Sequence, residues 1–281
     1  MTQSFAPRQG RFGADLAPRA ISGIVLIAAA LGATYLGGSA FALFWLIAFG
    51  AVAWEWQRLS APEGKTSLAQ VVGNWLGLAL AALLMIEGLP VWAAAALVAS
   101  GLFAALVSAT ENRGLAAAGA LYSGIPLIAL LALRGQSVEG RNAVFWLFAV
   151  VWTTDISAYF VGRVLRGPKL WPSISPGKTW SGAVGGLVLG AGAGLAFAGS
   201  TNDPEVLGAL GMGVSLASQA GDLFESALKR RYGVKDSSHL IPGHGGVMDR
   251  LDGFLAAVVL ATIVAIVNAE GANIGAGVFT W

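Results

Sequence analysis

Between Asp222 and Asp252 the sequence gathers groups suited to phosphate and a divalent cation. Asp222, Glu225, Ser226 and Lys229 follow one another at spacings of three, one and three, which puts them on one face of a helix. Next come Lys229-Arg230-Arg231, Lys235-Asp236 and the small-residue run Pro242-Gly243-His244-Gly245-Gly246. Asp249-Arg250-Leu251-Asp252 closes the stretch, with both Asp on one face of the following helix. Three Asp from two helix ends can converge, and hard oxygen ligands suit Mg²⁺ rather than zinc. Asp222, Asp249 and Asp252 are therefore the expected metal ligands and, with Lys229, the expected catalytic groups. Lys229, Arg230, Lys235 and Arg250 are expected to neutralise phosphates. His244, Gly245 and Gly246 are expected to meet phosphate or nucleotide, since a glycine-rich backbone approaches an anion closely. The chemistry implied is metal-assisted phosphoryl or nucleotidyl transfer.

A second loop, Leu170 to Trp180, adds Ser175, Lys178 and Thr179, a cation and two hydroxyls able to bind phosphate, on a rigid Pro-flanked segment. Gly177-Lys178-Thr179 resembles the end of a Walker A loop, but Pro172 stands where its first glycine belongs and no strand precedes it, so that assignment fails. Just upstream, Asp155 and Tyr159 are one helical turn apart on one face.

These loops must be positioned by membrane helices. Of 281 residues, 17 are Lys or Arg and 15 Asp or Glu; hydrophobic residues make up 56%. The mean hydropathy is +0.70. That is too little charge for a soluble surface, and too apolar for disorder. The expected fold is all-α and polytopic, with about nine spans near 20–36, 39–54, 67–86, 89–110, 115–133, 143–162, 181–200, 206–227 and 250–269. A polar N-terminal segment, 1–19, precedes one transmembrane catalytic domain, 20–281, with N-terminal helices over 20–142 and the catalytic helices and loops over 143–269. The boundary between the first two spans, a Gly37-Gly38-Ser39 turn, is the least defined.

With the N-terminus inside, 15 of 17 cations fall inside: Arg8, Arg11, Arg19, Arg58, Lys65, Arg113, Arg163, Arg166, Lys169, Lys178, Lys229, Arg230, Arg231, Lys235 and Arg250. Only Arg134 and Arg141 fall outside, so both loops are expected to face the cytoplasm. The first span reads as a retained anchor rather than a cleaved signal, because eight more follow. The absence of cysteine excludes disulfides and Cys-ligated metals. Gly182, Gly186, Gly190 and Gly194 recur every four residues, a packing stripe for a neighbouring helix. Carboxylates at membrane depth are costly, and Glu55, Asp155, Asp222, Glu225, Asp249 and Asp252 are the ones present. For Glu55, a water-facing helix end is as good a reading as a functional one.

The run from Ser226 through Lys229-Arg230, Lys235-Asp236 and Pro242 to Gly246 to Asp249-Arg250-Leu251-Asp252 resembles the signature of phosphatidate cytidylyltransferases, or CDP-diacylglycerol synthases. Gly221-Asp222, Ser175-Pro176 with Lys178-Thr179, Asp155 with Ala158-Tyr159, and Trp54-Glu55-Trp56 are also similar to that family. The resemblance is dense only in the last 130 residues or so. It departs at Ser181, where the family usually has Glu, and at Ser237-Ser238, where a small residue, often Gly, is usual. The resemblance implies a reaction of CTP with phosphatidate that gives CDP-diacylglycerol and pyrophosphate. It implies Mg²⁺, with K⁺ as second metal in some members, and a homodimer in a bacterial inner membrane, active site toward the cytoplasm, with no nucleic acid partner. Ser226, Asp236, Asp155 and Tyr159 join the substrate-binding set on this ground. The rival readings are a CTP-dependent polyprenol or phytol kinase and a transporter of a phosphorylated solute, which would want its charges near the midplane.

Overall fold

The computed structural model describes residues 16–61, 66–109, 112–201, 203–269, 271 and 273–281, with side chains from residue 20 onward. The expectations for Arg8, Arg11 and Lys65, the side chain of Arg19 and most of the N-terminal segment lie outside the described residues. Among the described residues nine α-helices follow in order: α1 (Leu16–Leu36), α2 (Gly38–Ser60), α3 (Leu68–Ile86), α4 (Pro90–Val107), α5 (Arg113–Arg134), α6 (Val138–Leu165), α7 (Trp180–Gly194), α8 (Pro204–Arg231) and α9 (Met248–Asn268). Short 3-10 helices follow α7 and α9.

Each expected span has a helix, but their characters differ. Seven, α2 to α7 and α9, are long and apolar enough to cross a bilayer, α7 when taken with the 3-10 turn that continues it. The apolar part of α1 is shorter, Ala20–Leu36. α8 is long but carries Gln219, Asp222, Glu225, Lys229, Arg230 and Arg231 in its C-terminal half. It gives up lipid-compatible composition where the chemistry is expected. Gly37 and Gly38, at φ 68° and 52°, break the chain between α1 and α2, in a conformation that costs other residues a steric clash.

An all-α expectation misses one feature. Lys169–Trp171 (β1) and Ser175–Thr179 (β2) pair antiparallel, with Lys169 opposite Thr179 and Trp171 opposite Ser175. The second loop is thus a hairpin, which pairs backbone groups that the neighbouring helices cannot satisfy.

Aromatic residues from three helices form the centre. Trp45 of α2 stacks on Phe254 of α9 and Phe148 of α6, with ring centroids 5.2 and 6.2 Å apart. The glycine stripe of α7 lies against α6. A methyl group on Gly182 would sit 2.6 Å from the Ala158 carbonyl, and one on Gly186 2.8 Å from that of Thr154. Without a hydrophobic difference between helix and lipid, such close backbone packing is what holds helices together.

Two polar layers mark the ends of the bundle. At one end the Arg134 side chain donates to the Thr34, Gly135 and Ser137 carbonyls, and Ser137 donates to Asn273. At the other the C-terminal ends of α2, α6 and α8 meet the N-terminal end of α9 around the loops that carry the motifs.

Candidate functional site

The helix end that gathers the motifs encloses a cavity of about 970 Å³. This is the upper end of the size range of small-molecule sites, roughly 300–1,000 Å³. Its walls are the C-terminal turns of α6 and α8, the β1–β2 hairpin, the start of α9 and the segment after α8. Asp155, Tyr159, Ser175, Lys178, Thr179, Asp222, Ser226, Lys229, Arg230, Lys235, Asp236, Asp249, Arg250 and Asp252 all line it. Two loops and three helices thus bring most of the expected set to one place.

The individual roles are more varied. Lys229 is held between two carboxylates, with Nζ 2.5 Å from Asp249 Oδ1 and 2.8 Å from Glu225 Oε1. Both carboxylates are buried. The Lys178 ammonium is ion-paired with Asp222, which also accepts a hydrogen bond from the Ser226 hydroxyl at 3.3 Å. Arg230 donates to the Ile174 and Val234 carbonyls and so ties the hairpin to the end of α8. The Thr179 hydroxyl accepts from Gly182 N–H at 3.1 Å and caps α7.

Two of the expectations meet a more varied geometry. The first concerns the glycine-rich loop. His244, Gly245 and Gly246 do not line the cavity. The Gly246 N–H donates to Asp249 Oδ2 at 2.8 Å, and the next two N–H groups, of Val247 and Met248, donate to Glu55 at 2.9 and 2.6 Å. Nδ1 of His244 lies 2.8 Å from the Ser22 hydroxyl of α1. Of the donors expected to cradle an anion, the Gly246 N–H already binds a carboxylate of the protein itself, and the His244 N–H donates to the Ile241 carbonyl. Gly246 is required for this close approach, since a Cβ there would lie 2.5 Å from Glu55 Oε1.

The second concerns the metal ligands. Asp249 Oδ1 binds Lys229, and Oδ2 accepts from Ser237 N–H, the Ser237 hydroxyl and Gly246 N–H, at 2.9, 3.0 and 2.8 Å. Three protein donors thus meet Oδ2 and one meets Oδ1, and Asp249 itself lines the cavity. Among the described residues no three carboxylate or imidazole groups meet in a ready metal cluster. The carboxylates whose charges act on one another at the cavity are Asp155, Asp222 and Asp252. Among the described residues Lys178 is ion-paired with Asp222 of this trio, and carboxylate oxygens are the hard donors that Mg²⁺ takes.

Glu55 is the residue whose role the sequence leaves undecided. It is fully buried, not facing water. Its carboxylate accepts from the Ser237 hydroxyl at 3.2 Å, the Ser238 hydroxyl at 2.5 Å, and the Val247 and Met248 N–H groups. It therefore neutralises the exposed donors at the start of α9 from another helix, where a negative charge also suits the helix dipole. Ser237 serves both Glu55 and Asp249, so Glu55, Ser237, Asp249 and Lys229 form one connected polar chain that ends at the cavity. Each unmet buried donor would cost about 1–3 kcal/mol. The signal available in sequence was Trp54-Glu55-Trp56, a carboxylate between two large aromatics. Trp56 is itself buried, and its indole N–H donates to the Leu115 carbonyl at 2.8 Å.

Comparison with known proteins agrees with this picture. The profile of the cytidylyltransferase family matches residues 17–267. The phosphatidate cytidylyltransferase of Brucella abortus is 41% identical over 259 residues, covering 91% of this chain and 95% of its own length. The Haemophilus influenzae protein of the same name is 35% identical over 280 residues, covering 86% and 96%. The protein of that name from Bacillus subtilis is 40% identical over 148 residues, about half of each chain.

Proposed function

The chain belongs to the phosphatidate cytidylyltransferase family of membrane nucleotidyltransferases, and we propose how its cavity carries out that family's reaction. CTP and phosphatidate are the substrates, CDP-diacylglycerol and pyrophosphate the products. A phosphate oxygen of phosphatidate attacks the α-phosphorus of CTP; the new P–O bond forms as the bond to the β-phosphate breaks, and pyrophosphate leaves. The attacking oxygen is already ionised at neutral pH, so no strong base is required. Catalysis then rests on positioning and charge neutralisation.

Lys229 carries this reading. It is a cation fixed by two buried carboxylates at the wall of a cavity large enough for a nucleotide. Fixed in advance, it needs no reorganisation as charge moves onto the leaving pyrophosphate. Lys178, Arg230, Lys235 and Arg250 supply further positive charge, and Ser175 and Ser226 hydroxyl donors. Asp222 and Asp252, with Asp155 beside them, would hold Mg²⁺. Bound there, the ion would neutralise phosphate charge and orient the reacting groups. K⁺ as a second ion, and a homodimer, are proposed on the family resemblance alone.

The charge asymmetry supports a cytoplasmic cavity. The helix ends that enclose it carry the Lys and Arg, whereas Arg134 and Arg141 sit at the opposite end. CTP arrives from that side, and the acyl chains stay in the bilayer. The bacterial relatives support a place in a bacterial inner membrane.

Labelled CTP tests the reaction. Label in the α-phosphate is expected in the lipid, and label in the γ-phosphate in pyrophosphate. Transfer of γ-label to lipid would identify a kinase instead. The transporter reading is disfavoured because the carboxylates and cations cluster at one end of the bundle. For the metal, Asp222→Asn and Asp252→Asn are expected to raise the Mg²⁺ concentration for half-maximal activity; an unchanged requirement in both would remove them as ligands.

A further inference from the structure

The cavity has a cationic wall with no role in the arrangement above: Arg163 and Arg166 at the end of α6, and Lys169 in β1. We propose that these three residues form the subsite for the phosphate monoester of the lipid substrate, distinct from the groups around Lys229 that receive the nucleotide. The assignment rests on the reading of the cavity as the place of cytidylyl transfer.

Three independent observations carry it. The first is backbone strain. Arg166 has φ 56° and ψ −142°, and among the described residues it is the one non-glycine with positive φ. That region is essentially reserved for glycine, and residues held there cluster at functional sites. The conformation is fixed on both sides: the Arg166 N–H donates to the Gly162 carbonyl at 3.1 Å, and the Ser181 hydroxyl donates to the Arg166 carbonyl. Glycine would meet the backbone requirement without strain, so what the strain retains is a guanidinium at the cavity wall. Ser181, where the family resemblance departs, is thereby given a task.

The second observation is charge. Lys178 and Lys229 are ion-paired with carboxylates. Among the described residues no carboxylate is ion-paired with Arg163, Arg166 or Lys169. Arg163 donates to the Tyr159 hydroxyl at 2.7 Å, a bond that orients the guanidinium without neutralising it. A dianionic phosphate is the partner that three adjacent, uncompensated cations would favour.

The third is the neighbourhood. Phe160, Val164 and Leu165 on the same turns of α6 are exposed, Val164 to 75%, as are Trp171 of the hairpin and Trp180 at the start of α7. Exposed aliphatic side chains beside exposed Trp are what a helix presents where acyl chains give way to headgroups. An anion bound at this wall can keep acyl chains in the bilayer. A soluble nucleotide gains nothing from that setting.

The test uses the full-length enzyme in mixed micelles, with phosphatidate and CTP varied separately. Arg163→Gln, Arg166→Gly and Lys169→Gln are each expected to raise KM for phosphatidate about tenfold and leave KM for CTP within twofold. Arg166→Gly is expected also to raise the melting temperature, because glycine releases the strain; a merely structural Arg166 would not pair higher stability with poorer lipid use. An equal rise in KM for CTP, or no change in either KM, overturns the proposal. Trp fluorescence quenching on addition of phosphatidate, with the phosphatidylcholine and inorganic phosphate arms as comparisons, reads binding without turnover. Quenching by phosphatidate that the triple variant loses supports the subsite. Equal quenching by inorganic phosphate would mark a soluble-anion site and overturn it. Because binding is read without chemistry, this subsite can stand if the transfer reaction fails, and fall if the reaction holds.

Discussion

Glu55 and Ser237 are 182 residues apart in the chain, yet a hydrogen bond joins them and passes through Asp249 to Lys229. Glu55→Gln keeps the shape but loses the charge that four donors share. We expect it to cost about 1.5–3 kcal/mol, the worth of a hydrogen bond to a charged group, and at least tenfold in kcat. KM for CTP should move less than kcat, and Ser238→Ala should give a smaller loss in both assays. Wild-type kcat in Glu55→Gln would show that the chain of bonds does not reach the chemistry. Asp249→Asn is expected to abolish product formation and also to lower stability. It breaks a buried ion pair, a class of change that costs about 3–5 kcal/mol. Thermal unfolding in detergent beside the labelled-CTP assay separates the two effects. At this scale the sequence marks which residues gather but not what each does. Spacing puts Asp249 and Asp252 on one face, yet only the fold shows that Asp249 faces Lys229 and two loop N–H groups.

At the level of elements, helix α8 and the α6–α7 pair do most to build the site. The four-residue glycine repeat was readable as a packing stripe because small residues at that spacing let backbones meet in lipid. The structure names the partner, α6, whose Thr154 and Ala158 carbonyls approach Gly186 and Gly182. Thr154 precedes Asp155, so the stripe also sets the depth of a cavity carboxylate. Gly186→Val should separate the helices, at a cost of about 1–3 kcal/mol for overpacking. The measurable outcome is a lower melting temperature together with reduced turnover. A variant as stable and as active as the parent would show that the close approach is dispensable. The hairpin was not legible. Its strands, of three and five residues, are too short to carry a period-two pattern, and Pro172 and Pro176 suggest an irregular loop.

For the whole molecule, the scarcity of charge fits a membrane protein, and the asymmetry of that charge supports the orientation proposed above. The chain has no cysteine, so single cysteines report sidedness without background. His239→Cys lies in an exposed part of the loop at the cavity end, and Gln136→Cys at the opposite end. In intact spheroplasts an impermeant thiol reagent is expected to label Gln136→Cys alone, with His239→Cys becoming labelled only after lysis. The reverse pattern would invert the orientation read from the positive charges.

The sequence by itself determined the class of molecule, the approximate limits of its helices, and most of the candidate residues that line the cavity. Those are properties of composition, helical periodicity and local spacing. Tertiary structure alone decided how donors and acceptors are shared. It folded the end of the glycine-rich loop around Glu55 and Asp249, and it placed a strained Arg166 on the cavity wall. The physical reason is that a buried carboxylate takes whichever donors the fold brings to it, and those donors come from distant parts of the chain.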